Sequence, residues 1–168
     1  MTKKIKQMLM VFFLLTIPQT VVAHAGEQSL LSKFQGEWIS DGEAFGQTAT
    51  STMVWSQALN KKFMHLEYKI TMGSEGKSSV FQGTAYYKSL GNDEYSAFWA
   101  DNIGDLHPIT AKIDGNALVS IWGVKGAKLG RTRYELQGPN LLSVTDWIKK
   151  GDDWRQFNHN IFSRVKTR

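Results

Sequence analysis

The chain contains no cysteine among its 168 residues. Disulfide bonds are therefore excluded, and a fold that meets an oxidising compartment must be held by its apolar core alone. The same absence excludes a thiolate nucleophile, and it leaves no acceptor for a lipid anchor near the N-terminus.

Catalytic and metal-binding motifs are also missing. The sequence has no Gly-x-Ser-x-Gly elbow, no phosphate-binding loop and no His-Glu-x-x-His. Its four histidines do not stand at a spacing that predicts a metal site. These absences offer no reason to propose an enzyme, so we expect a protein without catalytic residues and without a metal ion.

No apolar run reaches the roughly 20 residues that a membrane-spanning helix requires. The longest run, residues 8–15, follows three lysines within the first six residues and precedes the small-residue sequence Ala23-His24-Ala25. This order is typical of an export signal. We expect residues 1–25 to be cleaved, which predicts a periplasmic or secreted protein with no stable membrane insertion afterwards.

The excess of positive charge comes mostly from this signal. The whole chain carries 20 basic and 15 acidic residues, whereas residues 26–168 keep 17 basic and 15 acidic ones. The remaining lysine pairs, at 61–62 and 149–150, lie in or beside predicted turns with acids nearby. We therefore expect a mixed-charge, solvated surface and no nucleic-acid partner.

Residues 26–168 have the length of one domain and the pattern of an all-β protein. Residues 27–34 predict one short helix. Runs of aromatic and β-branched residues, separated by Gly, Asn and Asp, predict ten strands. The predicted strands are 36–43, 48–58, 62–72, 78–88, 93–101, 106–113, 116–124, 129–137, 140–149 and 153–166.

The clearest strand alternates between an apolar and a polar face. Met64, Leu66 and Tyr68 are separated by polar residues, and the alternation continues to Met72. Short turns favour antiparallel neighbours, and the pattern indicates an up-and-down β-barrel of about ten strands. A β-sandwich shares these local signals and stays possible.

The two ends of the pattern predict a contact. In small barrels, the Trp of a Gly-x-Trp sequence on the first strand can lie beside an Arg on the last. Trp38 and Arg164 occupy these positions. We expect them to form a structural seal at one end of the barrel, leaving the other end open.

The motifs and their order resemble a known family. They are Leu31-x-x-Phe34-x-Gly36-x-Trp38, Ala58-Leu59-x-x-Lys62-Phe63, Gln82-Gly83-x-x-x-Tyr87, Phe98-Trp99-Ala100-Asp101-Asn102-x-Gly104 and Ile161-Phe162-Ser163-Arg164. Together they resemble the exported bacterial proteins grouped as a domain of unknown function numbered 1579. That resemblance implies a barrel of the calycin superfamily, which includes lipocalins and fatty-acid-binding proteins, and it implies no activity. A more distant resemblance is to nitrobindin, a ten-stranded haem-binding barrel.

The candidate site is the interior of the predicted barrel, where aromatic side chains suit a flat or chain-like apolar or amphipathic molecule. The predicted ligand-binding residues are Trp55, Met64, Tyr68, Phe81, Trp99, Asp101 and Trp122. Asp101, with Asn102, could instead serve only to form a turn. The aromatic residues could equally fill the barrel, and the chain would then be a structural or interaction module.

Other polar residues leave further alternatives. The nitrobindin resemblance makes His159 a candidate haem ligand, although its position between two asparagines favours a polar bulge. Asp146 shares a face with apolar residues, and we expect a structural ion pair with Arg133 or Arg155 there, with a place in the binding site as the second choice. Arg131 and Arg133 could hold a ligand's carboxylate if they faced inward, but the alternation with Tyr134 and Leu136 favours an outward, solvated position.

Overall fold

The computed structural model describes residues 29–73 and 78–166 of the chain. The predicted export signal lies outside this part, as does the tip of the predicted turn at residues 74–77. Within the described ranges, no helix combines the length and the apolar character needed to cross a membrane.

Ten antiparallel strands form a closed barrel, in which each strand pairs with its neighbours in sequence and the first pairs with the last. A short helix, α1, spans Leu30–Phe34. The strands are β1 Gly36–Ala44, β2 Gln47–Ala58, β3 Phe63–Met72, β4 Ser79–Gly91, β5 Glu94–Asp101, β6 Leu106–Asp114, β7 Ala117–Gly123, β8 Leu129–Gly138, β9 Leu141–Lys150 and β10 Asp153–Arg164. The predicted barrel is confirmed, and the sandwich is excluded because β1 pairs with β10.

Side-chain alternation builds the barrel wall as the sequence predicts. On β3, Met64, Leu66, Ile70 and Met72 are buried while Glu67 is exposed. Inward residues of the other strands join them, so the apolar core lies inside the barrel.

One end of the barrel is closed by α1. Its residues Leu31 and Phe34 are buried in the same core as Trp38. The indole Nε1 of Trp38 donates a hydrogen bond of 2.7 Å to the carbonyl oxygen of Phe34, which ties the helix to β1. No large opening is therefore expected at this end.

Arg164 covers the same end from outside. Its guanidinium carbon lies 4.0 Å from the centre of the Trp38 ring. The guanidinium also donates to the carbonyl oxygens of Lys33 at 2.8 Å, Pro139 at 2.9 Å and Gln35. The predicted contact between Trp38 and Arg164 is present, and it links the first strand, the last strand and the segment before β1.

The opposite end carries the β1–β2, β5–β6, β7–β8 and β9–β10 turns. The β1–β2 hairpin turns through Phe45 and Gly46, with φ angles of 51° and 75°. Two successive positive φ values are typical of the tight turn that matches the twist of a hairpin. Phe45 is 67% exposed, and its ring lies beside that of Phe81 at the rim of the open end.

Candidate functional site: a cavity open at one end of the barrel

A cavity of about 550 Å³ extends from the open end into the middle of the barrel. Its wall is mostly apolar and aromatic. The wall residues include Met53, Tyr68, Ile70, Phe81, Tyr87, Trp99, Ile109, Trp122, Tyr134, Val144 and Ile148. This lining and size are typical of a site for a small molecule.

Two tryptophans of the wall lie against glycines on neighbouring strands. A Cβ atom added to Gly83 would stand 1.9 Å from the Trp99 ring, and one added to Gly130 would stand 2.0 Å from the Trp122 ring. No real side chain tolerates such distances, so only glycine permits these indoles to lie flat on the backbone. The two glycines therefore keep the indoles out of the middle of the cavity.

Asp101 fixes one of these indoles and the adjacent turn together. Its Oδ2 accepts a hydrogen bond of 2.9 Å from the Trp99 indole. Its Oδ1 accepts from the backbone N–H groups of Ile103 at 3.2 Å and Asp105 at 3.0 Å. Asp101 lines the cavity, and these three bonds fill most of its acceptor positions, so it positions Trp99 and shapes the rim.

A second carboxylate, that of Asp146, lies deeper in the cavity. Its Oδ1 accepts a hydrogen bond of 2.5 Å from the hydroxyl of Thr132, and its Oδ2 accepts one of 2.8 Å from the amide of Asn158. Thr132 in turn accepts a bond of 3.1 Å from the indole of Trp122. Burial raises the pKa of the Asp146 carboxyl, and these hydrogen bonds oppose that rise only in part.

The expectation that Asp146 forms an ion pair with Arg133 or Arg155 is wrong. Arg133 points outward and bonds to Asp114 at 2.6 Å and to Glu135 at 3.1 Å, while Arg155 is exposed. Strand alternation places Arg133 on the wet face. Arg155 lies opposite Ile148 at the open end of β10, and it is in none of the ion pairs of the described residues.

Arg131 also lies on the outer wall, as expected from its alternation with Tyr134. Its guanidinium packs over the rings of Trp147 and Trp154, at 4.2 Å and 5.0 Å from their centres. Neither arginine of this strand is placed to hold a ligand's carboxylate, and these two tryptophans belong to the outer surface.

Three tyrosines surround the deep part of the cavity. The Tyr87 and Ser120 hydroxyl oxygens lie 3.3 Å apart. Burial raises the pKa of Tyr87 to about 12, and burial also raises the pKa values of Tyr68 and Tyr134. The negative charge of Asp146 adds to all three shifts. These phenols are therefore neutral at physiological pH and can donate or accept hydrogen bonds.

The mouth of the cavity carries an ionic cluster. The Nζ of Lys128 lies 2.6 Å from the Oδ2 of Asp105, and the Nε2 of His107 lies 3.4 Å from the same oxygen. The hydrogen bond from Lys128 lowers the pKa of the Asp105 carboxyl. The His107 ring also packs against Trp122, so this cluster joins the rim to the aromatic wall.

Five of the seven predicted ligand-binding residues line this cavity: Tyr68, Phe81, Trp99, Asp101 and Trp122. Whether they contact a ligand stays a prediction.

Trp55 and Met64, by contrast, do not line the cavity. Both are inward and buried, but they lie near the closed end, where Trp55 packs against Phe34, Tyr87 and Tyr134. Alternation identifies the inward face, whereas the height of a residue along the barrel depends on strand direction and register.

His159 points away from the cavity. It is exposed, and its Nδ1 lies 2.9 Å from the hydroxyl of Thr145 on the outer wall. A bulge in β10 between Gln156 and Asn158 shifts the register, so that Phe157 and Asn158 both line the cavity. The residues therefore do not fit a haem bound inside the barrel through His159.

Sequence reasoning missed several lining residues. Tyr87, Thr132, Tyr134 and Asn158 were not predicted, and Asp146 was expected to be a structural ion pair. The alternation with buried Phe162 could have placed Asn158 inside, but no local signal links it to Asp146.

Comparison with known proteins supports the fold. No protein-family model and no curated protein sequence matches the chain. Among solved structures, the chain is similar to the S-type phycobiliprotein lyase CPES from Guillardia theta, with a TM-score of 0.57 and 10% identity over 82% of this chain and 92% of that one. At this identity the similarity shows a shared β-barrel fold and nothing about function.

Proposed function

We propose that this protein binds a small apolar or amphipathic molecule inside the barrel and performs no reaction on it. The observation that carries the proposal is the cavity of about 550 Å³, which has an aromatic wall and is open at one end. Aromatic faces supply a large contact area with few rotatable bonds to fix.

The packing of the wall supports a binding site over a filled barrel. A filled barrel would pack its inward indoles across the centre, whereas Trp99 and Trp122 lie flat against Gly83 and Gly130. The similar barrel is that of a phycobiliprotein lyase, and we infer from it only that this architecture can serve small-molecule chemistry.

We further propose that the protein is exported and acts in the periplasm or outside the cell, as one of the proteins grouped as a domain of unknown function numbered 1579. The signal-like residues 1–25 and the order of the motifs support this. Several motif residues also form one structural unit, since Gly83 makes room for Trp99, and Asn102 bonds to the backbone of Gln82 and Val80.

The first test is to isolate residues 26–168 from a periplasmic or secreted fraction, extract any bound molecule from part of the sample with organic solvent and analyse the extract by mass spectrometry. Binding is then measured directly by titrating the ligand-free protein with the neutral apolar fluorophore N-phenyl-1-naphthylamine. We expect saturable binding at one site per chain. No extracted molecule together with no saturable binding would contradict the proposal.

A matched pair of substitutions locates the binding site. Trp122→Leu removes an indole from the cavity wall, and Trp147→Leu removes one from the outer wall. We expect the first to weaken binding of the fluorophore and the second to leave it unchanged, with both variants checked for folding by circular dichroism. Equal effects would place the site elsewhere.

A further inference from the structure

Charge is distributed unevenly along the cavity. Among the described lining residues, Lys128 supplies the one ammonium or guanidinium group, and it lies at the mouth in contact with Asp105. The deep part holds the carboxylate of Asp146, and none of the ion pairs in the described part of the chain includes it.

Building on the proposed ligand-binding function, we propose that the ligand is an apolar molecule carrying an ammonium group or several N–H donors, and that Asp146 binds that group. The carboxylate has the acceptor capacity for this. An ionised carboxylate offers roughly four acceptor positions, and the protein fills one on each oxygen, from Thr132 and from Asn158. Asp146 lines the cavity, so a ligand there can approach the remaining positions.

The neighbours of Asp146 fix it as an acceptor. Thr132 accepts from the indole of Trp122 with one of its two lone pairs and donates its proton to Asp146. The Asn158 oxygen accepts a bond of 2.8 Å from Asn160, so its N–H₂ group faces Asp146. Both internal contacts therefore suit an ionised carboxylate, and the network holds it in place before a ligand arrives.

A carboxylate in apolar surroundings is costly without a cation or further donors. A ligand ammonium or N–H group would supply what the protein lacks there. An apolar acid such as a fatty acid would instead bring a like charge towards Asp146, and the cation at the mouth is already paired with Asp105. The cavity thus selects against anionic ligands.

The test compares three probes that share one anthracene ring: 9-anthracenylmethylamine as the ammonium, 9-anthracenemethanol as the neutral control and 9-anthracenecarboxylate as the anion. Their affinities for the unmodified protein are measured by isothermal titration calorimetry at neutral pH. We expect the ammonium to bind about tenfold more tightly than the alcohol, because its hydrogen bond to Asp146 is charge-assisted, and the carboxylate to bind most weakly.

Two variants with the same change of charge assign the preference to a residue. Asp146→Asn should bring the ammonium and the alcohol to similar affinities. Asp114→Asn, which removes a carboxylate from the outer surface beside Arg133, should keep the preference. A preference that survives in folded Asp146→Asn would overturn the role of Asp146.

The unmodified protein decides the question even if Asp146→Asn does not fold. Equal affinity for ammonium and alcohol, or tighter binding of the carboxylate, would overturn the charge selection while leaving the proposed ligand-binding function standing. Failure of all three probes to bind a protein that still binds N-phenyl-1-naphthylamine would overturn the charge selection alone, whereas failure of all four molecules to bind would count against both proposals.

Discussion

Substituting Gly83 by alanine should displace an indole of the cavity wall. The added Cβ would lie 1.9 Å from Trp99 Cζ2, and ordinary contact begins at 3.4 Å. The ring must therefore move by about 1.5 Å, and since strand β4 lies behind it, the direction left open is into the cavity. Such a shift pulls the indole Nε1 away from Asp101, to which it now donates at 2.9 Å.

The size of the effect follows from three contributions. Overpacking of this kind costs about 1–3 kcal/mol. A weakened hydrogen bond to Asp101 costs about 1 kcal/mol more. Alanine is favoured over glycine within a strand by roughly 0.5–1 kcal/mol, which offsets part of this loss. We expect Gly83→Ala to lower the free energy of unfolding by about 1–3 kcal/mol and to weaken binding of N-phenyl-1-naphthylamine, because the cavity becomes smaller.

A double-mutant cycle in urea isolates the contact. Trp99→Leu removes the ring that the new methyl group would meet. In that background Gly83→Ala should be neutral or slightly stabilising, because only the backbone preference for alanine remains. An equal loss of stability from Gly83→Ala in both backgrounds would refute the reasoning, since the clash would then not involve Trp99.

Three further predictions concern other parts of the barrel. Gly130→Ala should destabilise the protein by about 1–3 kcal/mol in urea unfolding, and the loss should vanish in a Trp122→Leu background, because its Cβ would stand 2.0 Å from that ring. Trp38→Ala should lower the free energy of unfolding by about 3–5 kcal/mol. Because this residue lies at the closed end, the fraction of the variant that stays folded should bind N-phenyl-1-naphthylamine with unchanged affinity. A loss of affinity in the folded protein would contradict this. Burial raises the pKa of Asp146 in the folded protein above the ordinary value of 3.8, so the native state binds the proton more tightly than the unfolded state does. The free energy of unfolding therefore falls as pH rises from the unfolded-state pKa through the folded-state pKa. The Asp146→Asn variant lacks that loss. Urea unfolding at several pH values should therefore show the stability of the variant, relative to the unmodified protein, increasing from acid to neutral pH. A difference that stays constant with pH would count against the raised pKa.

Much of the fold could be predicted because its signals are local. Alternation along β3 separates Leu66 from Glu67, and positions such as Gly115 and Gly151 have the positive φ that tight turns require. The number of strands, their antiparallel order and the contact between Trp38 and Arg164 follow from such patterns taken in sequence order.

The bulge in β10 could not be located in the same way. Continuing the alternation from Phe157 predicts that His159 faces inward, but one irregular step at Gln156 and Asn158 reverses the faces of the residues that follow. A bulge changes which side chains are inside without changing the composition of the strand. The position of His159 between two asparagines favoured a bulge, but only the pairing with β9 shows where the bulge lies.

The sequence by itself determined that this chain is an all-β protein of about ten strands and which side chains of most strands point inward, because a period of two residues depends only on the backbone of one strand. Closure into a barrel, and not a sandwich, was decided by the pairing of β1 with β10. The tertiary structure decided how deep each inward residue lies. Trp55 and Trp99 have the same residue type and the same inward face, but the register of β2 with β1 places Trp55 in the closed core, and the opposite direction of β5 places Trp99 at the open cavity. It also brought Thr132 and Asn158 to either side of Asp146, since such partners come from strands whose alignment is set by closure of the whole barrel.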